Sequence, residues 1–257
     1  MTGGSTRHGE WLRAAGPALA AGALVVGLAS CALSIGDLQH RTNNYTIGSR
    51  VTTLVVTNQA GDVQITGGSS DAISVTEHIS FHGTAPATTH RAAAAILSLD
   101  SNCPAAETCT VDYTITAPRT ITVQVSDGAG NVTLGSLGGP VTVHVKAGRI
   151  GLTSLAGPVH VASNAGSIRG QHLSSARASL HVSAGGIDVS FSAPAAAITA
   201  TTDVGAITLR VPDTVQYRVS ASATVGNVRV SVPHSTTAAR TITASTKTGS
   251  VRIEPAA

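Results

Sequence analysis

Eight glycines, each followed two residues later by Val or Ile, constrain this chain more than any other feature. They are Gly61, Gly130, Gly148, Gly166, Gly185, Gly205, Gly226 and Gly249. From Gly130 onward the gaps are 18, 18, 19, 20, 21 and 23 residues. Positions seven and five before each glycine, and two and four after it, are all apolar or glycine. Val141, Val143, Ile150 and Leu152 around Gly148 are one example. The positions between them are mostly polar.

That alternation has period 2 on both sides of the glycine, so each unit reads as strand, glycine corner, strand with one wet and one buried face. The apolar columns are rich in β-branched residues, which favour strands. One unit cannot bury its own apolar face, and repetition at about 20 residues is the mark of stacked units sharing a core. A stack pairs Val143 with Val161 and Ile150 with Ile168. A third apolar mark (Leu137, Leu155, Leu173, Phe191, Val211, Val232) suggests a third side to each coil. The expected fold is all-β, a β-solenoid of parallel, ~20-residue coils. The rival is a chain of antiparallel hairpins turning at the glycines, which local alternation does not separate from the stack. The columns hold while loop length drifts, and this favours the solenoid. Its last strand group, residues 241–253, is expected to be a bare C-terminal edge open to self-association.

The first residues supply a leader. Residues 1–13 are polar and carry Arg7 and Arg13, whereas 14–36 hold no charge. That span is long enough to cross a bilayer core, and the preceding cations predict an internal N-terminus with the remainder exported. One reading is an uncleaved signal-anchor helix over 14–36. The other is a lipoprotein signal, because Leu28-Ala29-Ser30-Cys31 matches the pattern before a lipid-modified bacterial cysteine. Both put the chain at the cell membrane with its C-terminal domain outside the cytoplasm. Residues 37–50 read as a polar stalk and 51–257 as the repeat domain. Residues 83–95 break the pattern and read as a loop or short helix.

Cys103 and Cys109 stand six apart. In an exported chain they read as a disulfide closing a short loop, leaving Cys31 unpaired. A metal site would need two further ligands, and none is obvious nearby. The net charge is only +3, no Lys/Arg run exists and aromatics are 2% of residues. A nucleic-acid partner is therefore not expected.

Catalytic chemistry is equally sparse. Asp62, Asp112, Asp127, Asp188, Asp203 and Asp213 are scattered, whereas glycoside cleavage needs two carboxylates facing one bond. His144 and His181 share an offset but sit two coils apart, ~10 Å at the usual strand spacing. No nucleophile elbow, phosphate loop or calcium nonapeptide occurs. Thr199 and Thr201 form a single T-x-T that neighbouring coils lack. Outward Arg169, Arg229 and Arg252 could meet an acidic envelope polymer, but a solvated face explains them as well. No cofactor, metal or catalytic residue is expected.

The repeats, the Cys103…Cys109 pair with Val111-Asp112-Tyr113-Thr114-Ile115-Thr116-Ala117-Pro118, and the N-terminal span together resemble a bacterial adhesin-like domain family of unknown function, common in actinobacteria. The likeness covers about residues 40–254. Members often carry Asp or Asn just before the glycine, where this chain has Ala129, Ala147, Ala165, Ala184, Val204, Val225 and Thr248; a polar ladder at that corner is therefore in doubt. The resemblance implies a non-enzymatic, membrane-tethered envelope module that binds an envelope polymer or protein or plays a structural role. An accessory or sensory ectodomain and a polysaccharide-acting β-helix enzyme are the alternatives.

Overall fold

The computed structural model of the chain describes residues 37–48, 50–103 and 108–256. Every regular element among them is a strand, and the nineteen strands join in one hydrogen-bonded sheet. β1 (Gln39–Ile47) is followed by β2 (Thr53–Ala60) and β3 (Val63–Gly68), the first coil. β4 (Ile73–Phe81) and β5 (Ala87–Ala93) intervene before β6 (Ile96–Asn102) and β7 (Cys109–Pro118), the second coil. β8 (Thr122–Ala129) and β9 (Val132–Gly135) make the third, and the unbroken β10 (Val141–Thr153) and β11 (Val159–Leu173) the fourth and fifth. β12 (Arg177–Ala184) with β13 (Ile187–Phe191), and β14 (Ala197–Val204) with β15 (Ile207–Val211), are the sixth and seventh. β16 (Tyr217–Val225) with β17 (Val228–Val230), and β18 (Arg240–Thr248) with β19 (Val251–Pro255), are the eighth and ninth.

Coils stack through parallel ladders. Val143 lies beside Val161 and Ile150 beside Ile168. Hairpins turning at the glycines are thereby excluded. The inward columns form one continuous core, in which Val143, Val161, Leu180 and Ala200 are essentially inaccessible. Leu137, Leu155, Leu173, Phe191, Val211 and Val232 are also buried. They lie at or just past the ends of the second strands, where Ala156 N–H donates to the Leu137 carbonyl and Ser174 N–H to the Leu155 carbonyl. This is the third side of each coil.

The glycine corner owes its residue type to a close approach between rungs as well as to backbone conformation. At Gly166 φ is +141°, and a Cβ there would lie 1.8 Å from the Gly148 carbonyl oxygen. Gly148 stands in the same relation to Gly130, at 1.7 Å. A side chain at one corner would thus displace the backbone of the rung before it.

The spatial order of coils departs from chain order at both ends. β2 pairs with both β6 and β8, so the first coil lies between the second and the third. β18 pairs with both β14 and β16, so the ninth coil lies between the seventh and the eighth. The expectation of a bare edge at residues 241–253 is therefore corrected: the terminal rung is β16–β17. Growing loops allow this, because residues 212–216 skip a rung and residues 231–239 carry the chain back.

Two further expectations are corrected. Residues 37–50 are not a stalk, because β1 pairs antiparallel with β4 along its whole length. Residues 83–95 are neither loop nor helix alone: they contain β5, which forms an antiparallel hairpin with β6. Its turn places Ala94 and Ala95 at positive φ. β4 also runs antiparallel to β7, so antiparallel strands cap the N-terminal end of the stack. Tyr45 stacks on His90 with ring centroids 4.3 Å apart, joining the two strips of the cap. The leader over 14–36 and Cys31 lie outside the described residues. Among those described, no helix is long and apolar enough to cross a membrane.

Gly166→Ala should cost about 2 kcal/mol or more in urea unfolding, given the strain of a non-glycine residue there and the blocked approach. Gly135→Ala, where a Cβ meets nothing within 4 Å, should stay within about 0.5 kcal/mol. Equal costs at the two positions would contradict the close-approach account.

Candidate functional site

The position three before each glycine faces inward yet is polar in several coils. Asn58, Asp127, Ser163, Thr202 and Thr246 are all buried there. Asn58 lies beside Asp127, and Thr202 beside Thr246. All but the Asp127 side chain satisfy corner carbonyls that the bend takes out of the ladder. Thr202 Oγ1 donates to the Gly185 carbonyl at 3.0 Å and Thr246 Oγ1 to the Gly205 carbonyl at 3.1 Å. Asn58 Nδ2 donates to the Gly61 and Val111 carbonyls at 3.0 and 3.1 Å.

One residue further along, the column points outward as Gln59, Gly128, Lys146 and Asn164. Gly128 interrupts it. A Cβ at Gly128 would lie 2.3 Å from the Gln59 carbonyl oxygen, so no side chain can occupy that place. The gap is a cleft of about 450 Å³ on the corner of the first to fifth coils. Gln59 and Asn102 rim it on one side, Lys146 and Asn164 on the other, with His144 beside them and Asn58 and Asp127 among the lining residues. Cys103 braces the rim. Cys103 and Cys109 are bonded, with Cα atoms 5.8 Å apart. Cys103 N–H donates to Gln59 Oε1 at 2.6 Å, and Ser101 Oγ donates to Asn58 Oδ1.

Asp127 is the exception in the inward column. It is 3% exposed, and neither carboxyl oxygen has a hydrogen-bond partner. Its pKa is pushed up to about 6, mainly by burial, with the Asp62 charge adding to the shift. The nearby Asn58 amide and Gly128 N–H offset only part of this, and neither reaches bonding geometry with the carboxyl oxygens. The physical reason lies in its counterparts in other coils: Asn58, Thr202 and Thr246 each donate to a carbonyl, and an ionised carboxylate has no proton to donate. A second buried acid, Glu77, is satisfied. It accepts from Asn43 Nδ2 at 2.9 Å and from the Tyr45 hydroxyl at 2.6 Å. Burial, reinforced by the Glu77 charge, raises the pKa of the Tyr113 hydroxyl.

The other sequence candidates do not converge. Asp112, Asp62 and Asn131 form a ladder at the corner, the last two immediately after their glycines. Asp62 N–H donates to Asp112 Oδ1, Asn131 N–H to Asp62 Oδ1, and Arg149 N–H to Asn131 Oδ1, at 2.7, 2.8 and 3.2 Å. A polar ladder thus exists at the corner, on the far side of the glycine from where relatives suggested it. Asp188 pairs with Arg210, which also reaches Glu254 at 3.0 Å. Asp203 meets Lys247 at 3.0 Å, and Asp213 is exposed. His144 packs edge-on against His160, whereas His181 bonds Thr201 Oγ1 at 2.9 Å. Arg229 and Arg252 are register neighbours, and Arg169 lies beside Asp188. Among the described residues no three His, Cys, Asp or Glu side chains are placed to hold a metal ion. Sequence reading overlooked Asn58, Gln59, Gly128, Lys146 and Asn164. The recurrence of Asn, Asp, Ser and Thr three before the glycine was the available signal.

Architecture and site together define a single-sheet, capped stack of parallel coils with a cleft at one corner, rimmed by polar side chains. The chain belongs to the Toastrack DUF4097 family, whose model matches residues 111–255. Among solved structures it is similar to a protein put forward as an adhesin from Bacteroides fragilis NCTC 9343. The two share 16% identity over 85% of this chain and 97% of that one, with a TM-score of 0.50. It is also similar to a proposed cell adhesion protein from Clostridium sporogenes ATCC 15579 (11% identity, 85% and 100% covered, TM-score 0.40). A third is a proposed lipid binding protein from Parabacteroides distasonis ATCC 8503 (12%, 84% and 97%, TM-score 0.38). No curated protein matches the chain at a significant level.

A carboxyl whose folded pKa lies above its unfolded value of ~3.9 favours folding in its protonated form. Stability should therefore fall as pH rises from about 4 to about 6 and stay lower above that, by up to ~3 kcal/mol. Asp127→Asn supplies the missing donor. It should raise the thermal midpoint at neutral pH and flatten this part of the pH profile, as read by circular dichroism.

Proposed function

We propose that this chain is a non-enzymatic, adhesin-like binding module at a bacterial cell envelope. The corner cleft carries this reading. Its rim offers the amides of Gln59, Asn102 and Asn164, a single ammonium at Lys146 and the imidazole of His144. Such a set exchanges hydrogen bonds with hydroxyl and anionic groups, and a site of this volume takes one or two units of a polar polymer. The partner proposed is accordingly an envelope polymer carrying hydroxyls and negative charge. The adhesin assignments of the solved relatives agree with this class of role.

In the same proposal, residues 14–36 hold the chain in the membrane as an uncleaved signal-anchor. The apolar run continuing through Ala32, Leu33 and Ile35 supports an anchor over cleavage before Cys31. The organism proposed is an actinobacterium, on the strength of the family resemblance.

Sedimentation of the full chain with purified envelope polymer should show binding that Lys146→Glu weakens at least tenfold, with an unchanged circular dichroism spectrum. Retention of full affinity by Lys146→Glu would remove the cleft from the account. Mass spectrometry of the membrane-extracted chain should find the N-terminal residues intact and Cys31 without lipid. A mature chain beginning at a lipidated Cys31 would establish the lipoprotein alternative.

A further inference from the structure

Across the corner from the cleft, the outward column three after each glycine runs Thr133, Gly151, Arg169, Asp188 over the third to sixth coils. Gly151 differs from the other glycines of the stack, because the fold does not require it. Its φ lies outside the left-handed region, and a Cβ there would find its nearest contact at 3.6 Å, the Thr133 hydroxyl. At Gly128 and Gly166 a Cβ would strike backbone instead. The register is unbroken past Gly151 on both sides, so the residue marks no bulge. Glycine inside a strand weakens it, and where no bulge, bend or neighbouring backbone explains it, the remaining reason is the close approach of a ligand.

The missing side chain leaves a recess of about 260 Å³. Two arginines line it. Arg149 lies two residues before Gly151 on the same face, and Arg169 is the register neighbour of Gly151 on the next rung. The backbone of Arg149 is fixed, since its N–H donates to Asn131 Oδ1 at 3.2 Å. Thr133 adds a hydroxyl from the rung before. The remaining outward neighbours, at positions 131, 135, 153, 167 and 171, are uncharged. The nearest carboxylates are engaged elsewhere: Asp188, beside Arg169, pairs with Arg210, and Asp62 accepts from the Asn131 N–H and side-chain amide. Among the described residues neither Arg149 nor Arg169 belongs to an ion pair. Two guanidinium groups without counter-ions beside a recess suit an anion with several oxygens, which each planar fork can hold through paired N–H donors.

We propose that the Gly151 recess is a binding site for an oxyanionic group, a phosphate or a carboxylate, held between Arg149 and Arg169 with a further hydrogen bond from Thr133. The recess shares no lining residue with the corner cleft, so neither site depends on the other.

Phenylglyoxal modification of the full chain in a neutral detergent, mapped by peptide mass spectrometry, reads this site. Inorganic phosphate at about ten times its dissociation constant should slow modification of Arg149 and Arg169 about tenfold relative to sodium chloride of equal ionic strength. The exposed Arg218 should react at an unchanged rate. Acetate in place of phosphate separates the two sources: protection by phosphate alone assigns a phosphate group, and protection by acetate assigns a carboxylate. Gly151→Thr should fill the recess and abolish protection, while keeping the wild-type circular dichroism spectrum and an equal or higher thermal midpoint. Arg169→Ala should abolish protection of Arg149, and it decides the matter if Gly151→Thr does not fold. Modification that neither anion slows, or protection retained by a folded Gly151→Thr chain, would overturn the proposal.

Discussion

The backbone contact between consecutive corner glycines sets the rest of this molecule. With the Gly166 Cα tucked against the Gly148 carbonyl, and Gly148 against Gly130, neighbouring rungs can turn the same corner without losing register. Strands on both sides then keep their ladders, and the columns of Val, Ile and Leu fall into line. The bend has a consequence: it leaves carbonyls without strand partners. Asn58, Thr202 and Thr246 reach back to those carbonyls from the position three before the glycine. The polar inner column is thus a result of the corner, although it lies in what alternation alone would make core.

The cleft arises from the same geometry. Where Gln59, Lys146 and Asn164 project outward, Gly128 must not, because the Gln59 carbonyl occupies the space of its side chain. A notch lined by amides and one ammonium follows. Beneath it Asp127 occupies a slot suited to a donor, and its raised pKa is the electrostatic mark of that mismatch. The Cys103–Cys109 disulfide joins the end of β6 to the start of β7 in the second coil, and Cys103 is tied to the rim through Gln59.

Much of this fold was legible in the sequence, because side-chain alternation and glycine spacing report directly on strand and corner. The pairing of Val143 with Val161 follows from the repeat alone. Coil order was not legible. Every rung presents the same offsets, so Ile198 can sit beside Ile242 as well as beside Val219, and only the loop lengths distinguish the two. β1 escaped notice because Gln39–Ile47 is polar on both faces. It is held by Tyr45 and Asn43 bonding to Glu77, a contact between residues more than thirty positions apart. The cleft was hidden for a similar reason: Gly128 matters only because of what its neighbours on adjacent rungs project.

The stacking order is the point on which corner, core and free end all rest, and cross-linking tests it most directly. Thr208 has Arg252 as its register neighbour, whereas Arg229 lies one rung further out. In a Cys31→Ser background, Thr208→Cys with Arg252→Cys should form an intramolecular disulfide, identified by peptide mass mapping. Efficient bonding of Thr208→Cys with Arg229→Cys, and none with Arg252→Cys, would show coils stacked in chain order and contradict the structure described.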